Sequence, residues 1–186
     1  MWPQHAEKLA DLGRLALLRG EFGRADELLG QARQLAAEHS RPVGEQYAEP
    51  GLGLSACRQG KLDGAEAHFR AWLEPDRAAR AYPALALILA ELGFIAELRG
   101  DADGALTLHE EALANADLSG DPRSVALALE GLAGGHALAG GPARARRLLA
   151  EAAALREHAG VPLPPAERAD ADRITAAVQV AEPPAR

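Results

Sequence analysis

Six histidines, one cysteine and one short glycine run are the residues here whose types and spacing could do chemistry. The run Gly51-Leu52-Gly53-Leu54-Ser55-Ala56 has the G-x-G-x-x-A spacing that brings backbone N–H groups against a pyrophosphate. That chemistry needs a preceding strand, whereas the surrounding residues read as helix. Cys57 precedes Arg58, a neighbour that favours the reactive thiolate. The alternative for Cys57 is a small residue packed on an amphipathic helix. None of His5, His39, His68, His109, His136 and His158 falls in an H-E-x-x-H or E-x-x-H pattern, so a metal site would need distant residues to converge. His109-Glu110-Glu111 reads as a helix face rather than a carboxylate–imidazole site, and Arg144, Arg146 and Arg147 as a solvated basic face or a contact for an acidic partner. No Ser-His-Asp arrangement and no G-x-x-x-x-G-K-[ST] loop occurs. No catalytic residue, metal ligand or cofactor is expected, and the chain is not expected to be an enzyme.

Whatever these residues do, helices must position them. Gly20, Gly60, Gly100 and Gly140 recur every 40 residues. An alanine follows each at the same offset (Ala25, Ala65, Ala105, Ala145), and a Leu-small pair precedes each: Leu12-Gly13, Leu52-Gly53, Leu92-Gly93 and Leu132-Ala133. Four marks in register over four copies define repeats at 1–40, 41–80, 81–120 and 121–160. In the third copy Leu85, Ile88, Leu89, Leu92, Ile95 and Ala96 follow helical periodicity. Gly100 breaks that helix, since glycine takes the left-handed conformation that ends helices. Ala105, Leu108, Ala112 and Leu113 then line a second helix. Asp121-Pro122 reads as an N-cap and first-turn proline, and Pro164-Pro165 opens a last helix with Ala171, Ile174, Val178 and Ala181 on one stripe.

The fold class expected is therefore all-α: a solenoid of four antiparallel helix pairs with a 40-residue period and a C-terminal capping helix at about 164–182. One domain, 1–186, is expected. Gly93 is expected to face Ala105 where the paired helices approach most closely, and likewise Gly13 with Ala25, Gly53 with Ala65, and Ala133 with Ala145. Pro50 should kink the first helix of copy two or delay its start. No cover is visible before residue 6, so the first hairpin offers an open face, and a two-fold homodimer is the safer form of self-association. His136 stands where the other copies have Ala16, Ala56 and Ala96. It reads as a hydrogen-bonded core histidine or as a group able to bind a ligand or sense pH.

The net charge of -7, from 20 basic and 27 acidic residues, argues against direct nucleic-acid binding. A single cysteine excludes an intramolecular disulfide framework. No apolar run approaches the ~20 residues a membrane span requires, and the opening MWPQHAEK lacks a secretory apolar core, so a cytoplasmic location without membrane contact is expected.

The repeat residues resemble the tetratricopeptide family, which implies that the solenoid is right-handed. The family's pattern of Leu-Gly, then a Gly-Asp-x-x-x-Ala turn, then a large and a small apolar residue is matched by Leu92-Gly93, Gly100-Asp101 to Ala105 and Ala112. Copy one matches through Leu29 and Ala32, copy two through Phe69 with Trp72 in the small position, and copy four through Leu149 and Ala152. His109 stands in place of the large residue of copy three, and each copy exceeds the family's usual length. The ending, from Leu129-Glu130-Gly131 through Ala154-Leu155-Arg156 to Pro164-Pro165-Ala166-Glu167-Arg168, is similar to that of the repeat arrays of large actinobacterial transcriptional regulators.

The resemblance implies a non-catalytic protein–protein interaction module, a scaffold or regulatory domain, whose first helices line a concave groove. Its groove positions carry over to Arg14, Tyr47, Leu54, Arg58, Phe94, Glu97, Glu130 and His136, with Phe94 as the expected anchor. The partner implied is a protein or peptide segment, such as another domain of a larger regulator. A small apolar effector in the same groove, sensed by a transcriptional regulator, is the alternative. Some of this apolar stripe is equally expected to be inter-repeat core.

Overall fold

The computed structural model describes the backbone of residues 3–38 and 42–180, and the side chains of these residues apart from 3–4, 42–47 and 166. Among the described residues there are nine helices and no strand. They are α1 (Pro3–Leu18), α2 (Phe22–Glu38), α3 (Pro42–Arg58), α4 (Leu62–Ala79), α5 (Tyr82–Leu98), α6 (Ala102–Ser119), α7 (Pro122–Leu138), α8 (Pro142–Ala159) and α9 (Pro165–Val180). Four helix pairs in a 40-residue register, followed by a ninth helix, make an all-α helical-repeat fold.

Gly20, Gly60, Gly100 and Gly140 have φ of 76°, 73°, 81° and 79°, so each turn uses the left-handed conformation that a Cβ disfavours. Helix starts vary more. Asp101 accepts from the Gly104 backbone N–H at 2.9 Å, and Asp121 accepts from the backbone N–H groups of Arg123 and Ser124. Burial works against the Asp121 carboxylate, but the Ser124 hydroxyl and these backbone donors outweigh it and hold its pKa below the ordinary value. Pro50 lies inside α3, which begins at Pro42, so that helix does not start late.

The second turn of each repeat shows one departure. Gly120 and Gly160 close α6 and α8 with φ of 69° and 66°, whereas the register position after α4 holds Arg80 at φ 54°. Left-handed backbone costs an L-residue about 1 kcal/mol. Arg80→Gly is therefore expected to stabilise the chain by about 0.5–1 kcal/mol, read as a raised urea midpoint at unchanged m-value. An unchanged midpoint would mean that other contacts of the exposed Arg80 side chain offset the backbone strain.

The chain falls into two compact units, Met1–Pro75 and Asp76–Arg186. In the first, Ala10, Ala16, Leu17, Ala25, Leu29, Ala32 and Ala48 form a buried cluster, with Leu9, Phe22, Leu28, Leu52 and Leu54 packed against it. In the second, α5 buries every residue of the run 88–95, and α7 every residue of 126–135, because both helices are covered on more than one side.

Small residues organise both cores, and the repeat glycines 13, 53 and 93 lie nearest to the side chain one turn beyond the expected alanine. Alanines 25, 65, 105 and 145 are fully buried. The first atoms that a Cβ on Gly13 would meet belong to Leu29, at 2.6 Å, and on Gly53 to Phe69, at 2.7 Å. Leu29 is also the first neighbour of Gly51 on α3. Each glycine makes room for the large residue at the centre of a second helix, and Leu29 is flanked by a glycine on each of two neighbouring helices.

Candidate interaction surface

The same slot in the second unit holds a histidine. His109 on α6 is completely buried, with Gly93 of α5 and Gly131 of α7 as its close glycine neighbours. Its ring packs edge-on against Phe94, with centroids 4.8 Å apart and planes at 65°. Neither ring nitrogen has a hydrogen-bond partner. Burial first, and the positive charge of Arg173 second, lower its pKa from 6.5 to about 3, so the ring is neutral at pH 7. His109 therefore fills an apolar residue's place and pays a polar group's desolvation there.

This packing corrects the expectation for Phe94. The ring is 2% exposed and belongs to the core around His109, so it is not available as a groove anchor. Two other groove positions of the second unit are committed to internal ion pairs. Glu130 on α7 receives Arg156 of α8 through Nε at 2.7 Å and Nη2 at 2.9 Å, and both side chains are under a tenth exposed. Glu97 on α5 receives Arg173 of α9 through Nη1 at 2.5 Å and Nη2 at 3.3 Å. His136 is half-buried rather than a core group, and its Nε2 accepts from Arg144 Nε at 3.3 Å. Burial and the charge of Arg144 lower its pKa, against the opposing pull of Glu110.

In the first unit Arg14 is exposed on α1, Arg58 is half-buried, and Leu54 is half-buried against the core. The Tyr47 side chain lies outside the described residues. The Gly51–Ala56 run lies within α3, its glycines against Leu29 and Phe69 and its Ser55 buried, so the strand and turn of a dinucleotide site are not formed there. Cys57 is half-buried. His68 Nδ1 lies 2.5 Å from Glu49 Oε2, whose other oxygen is 3.5 Å from Arg33.

Sequence reasoning missed Arg156, Glu167 and Arg173. Arg156 Nη2 also lies 3.6 Å from Glu167 on α9, and Arg123 donates to the same carboxylate. For both Arg156 and Arg173, burial works against the charged guanidinium, but the carboxylates of Glu130 and Glu97 respectively outweigh it and raise the pKa. Among the described residues, no group of three or more His, Cys, Asp or Glu could hold a metal ion, and no helix is long and apolar enough to cross a membrane. The second unit exposes leucines near several helix ends: Leu98 at the end of α5 is 47% exposed, Leu138 at the end of α7 is 43% exposed, and Leu118 near the end of α6 is 65% exposed.

No protein-family model matches the sequence, and neither does any curated protein. Among solved structures, the chain is similar to BtubC (BKLC) from P. vanneervenii, with a TM-score of 0.66 and 21% identity. The match covers 86% of this chain and 66% of that one, so this chain spans just under two thirds of the neighbour's length. At this identity the likeness establishes a shared fold, an all-helical repeat.

Proposed function

We propose that this chain is a non-catalytic protein–protein interaction module of the tetratricopeptide kind, which holds a helical partner segment on the first helices of its hairpins. The reading rests on Leu98 and Leu138. They are 40 residues apart in register, end the neighbouring helices α5 and α7, and are 47% and 43% exposed, with half-buried Ala137 beside Leu138. One exposed leucine is ordinary, but two at one register position on packed helices form a paired apolar ledge. An amphipathic helix with apolar anchors three or four residues apart suits such a ledge. The similarity of the sequence's end to regulator arrays further suggests a partner within a transcriptional regulator.

The test is selection of phage-displayed 16-residue helical peptides on the wild-type chain, followed by affinity measurement on Leu98→Ser/Leu138→Ser. Both side chains are exposed, so the variant should melt like the wild type. Selected peptides should bind it at least tenfold more weakly. Peptides indifferent to the double substitution would overturn this placement of the surface. A bound mass of a few hundred daltons in native mass spectrometry, lost on denaturation, would instead favour an effector-sensing domain.

A further inference from the structure

α9 differs from the helices it packs on. α7 buries ten consecutive residues, whereas the buried side chains among those described on α9 are Ile174 and Val178, four residues apart on one stripe. Ion pairs add to these. Glu167, near its start, meets Arg123 of α7 and Arg156 of α8. Arg173 reaches beyond α7, on which α9 packs, to Glu97 of α5, and also meets Asp170 one turn back at 3.2 Å. Gly134 of α7 makes that reach feasible, because a Cβ there would overlap the Glu97 carboxylate. The Glu97 side chain is 8% exposed, so removing Arg173 would leave a carboxylate in a mostly dry recess. The second unit thus already grips a helix through one arginine and two apolar residues, at +1 and +5 from it.

We propose that α9 is a displaceable internal occupant, and that an external helix carrying the same signature takes its place. The partner would present an arginine to Glu97 and apolar residues at +1 and +5 where Ile174 and Val178 lie. An acidic group six residues before the arginine would meet Arg123 and Arg156 as Glu167 does. The inference rests on the proposal that the first-helix face holds a helical partner, and adds which chemistry that partner carries and what keeps it out. Weak apolar anchorage and a specific charge contact suit an occupant that must leave, since the charges set register while few apolar contacts resist release.

The probe is a labelled peptide of the α9 sequence (165–180), titrated against the full chain by fluorescence anisotropy. Ile174→Ser/Val178→Ser in the chain should release α9 in place, so this chain should bind the peptide at least tenfold more tightly than wild type. Arg173→Glu in the peptide should remove that binding, and Glu97→Arg in the chain should restore it for the Arg173→Glu peptide. Should the double serine chain lose helical content, Arg173→Gln supplies the readout, with at least threefold tighter peptide binding expected. Equal binding to wild-type and opened chains would overturn the displacement inference while leaving the helix-binding reading intact. Absence of binding to an opened, folded chain would also overturn the displacement inference, while the helix-binding reading stands or falls by the Leu98→Ser/Leu138→Ser measurement.

Discussion

Replacing His109 with leucine is expected to raise the stability of this chain by about 1–2 kcal/mol at pH 7 and to remove a large part of its acid sensitivity. The imidazole is fully buried between Gly93 and Gly131 with both nitrogens unpaired. A buried polar group without a hydrogen bond costs about 1–3 kcal/mol, and an apolar group of like size avoids that cost. Leucine already stands in the same register at Leu29 and Leu149. Against this, the edge contact with Phe94 is lost, worth about 0.5–1.5 kcal/mol beyond area burial. The net gain should appear as a melting temperature higher by about 2–6 °C for a chain of this size.

The acid effect has a definite sign. Folding lowers the His109 pKa from 6.5 to about 3, first through burial and then through Arg173. Between those values the unfolded chain binds a proton that the native chain does not, so stability falls as pH drops through this window. The slope is about 1.4 kcal/mol per pH unit, which makes about 2–3 kcal/mol between pH 6.5 and 4.5. Carboxylates titrate in both proteins and cancel in the comparison. Urea denaturation at the two pH values should therefore show a smaller loss for His109→Leu than for wild type. An equal loss in both would mean that the ring finds a proton acceptor or solvent in the folded chain.

His109 also shows what was legible before the structure. Its departure from a large apolar residue was visible in the register, because Leu29, Phe69 and Leu149 mark that position. The turns were equally legible, since a left-handed backbone selects glycine locally and repetition exposes the selection four times. Phe94 was misplaced for a related reason. Family register puts it on the groove face, but the ring packs edge-on against His109, a contact that depends on the residue opposite. Glu97 was carried over as a groove position for a partner, but its ion-pair partner lies 76 positions away on a helix outside the repeat register. Periodicity assigns faces within a helix. It carries no signal for which distant charge closes on a given carboxylate.

Truncating Arg156 to methionine is expected to cost about 3–5 kcal/mol, a loss on the scale of a core cavity from a residue at the boundary between helices. Glu130 and Arg156 form a bidentate pair with side chains 8% and 7% exposed, so removing the guanidinium leaves a carboxylate in the protein interior without its counter-charge. Arg77 and Glu111 provide the control, since they make an equally short contact, 2.7 Å, but are 39% and 40% exposed. Water replaces either partner of that pair, and Glu111→Gln should cost no more than about 1 kcal/mol. Contact distance alone would rank the two pairs as equals, whereas desolvation separates them severalfold. The double variant Glu130→Leu/Arg156→Met decides whether the pair itself stabilises the fold. If most of the single-variant loss is an uncompensated carboxylate, the double variant should recover to within about 1–2 kcal/mol of wild type. Incomplete recovery should track Glu167, which also loses a cation in both variants. Adding Glu167→Gln to the double variant would then recover the remainder. If the double variant is as unstable as Arg156→Met alone, the arginine acts through packing of its stem between α7 and α8 rather than through charge.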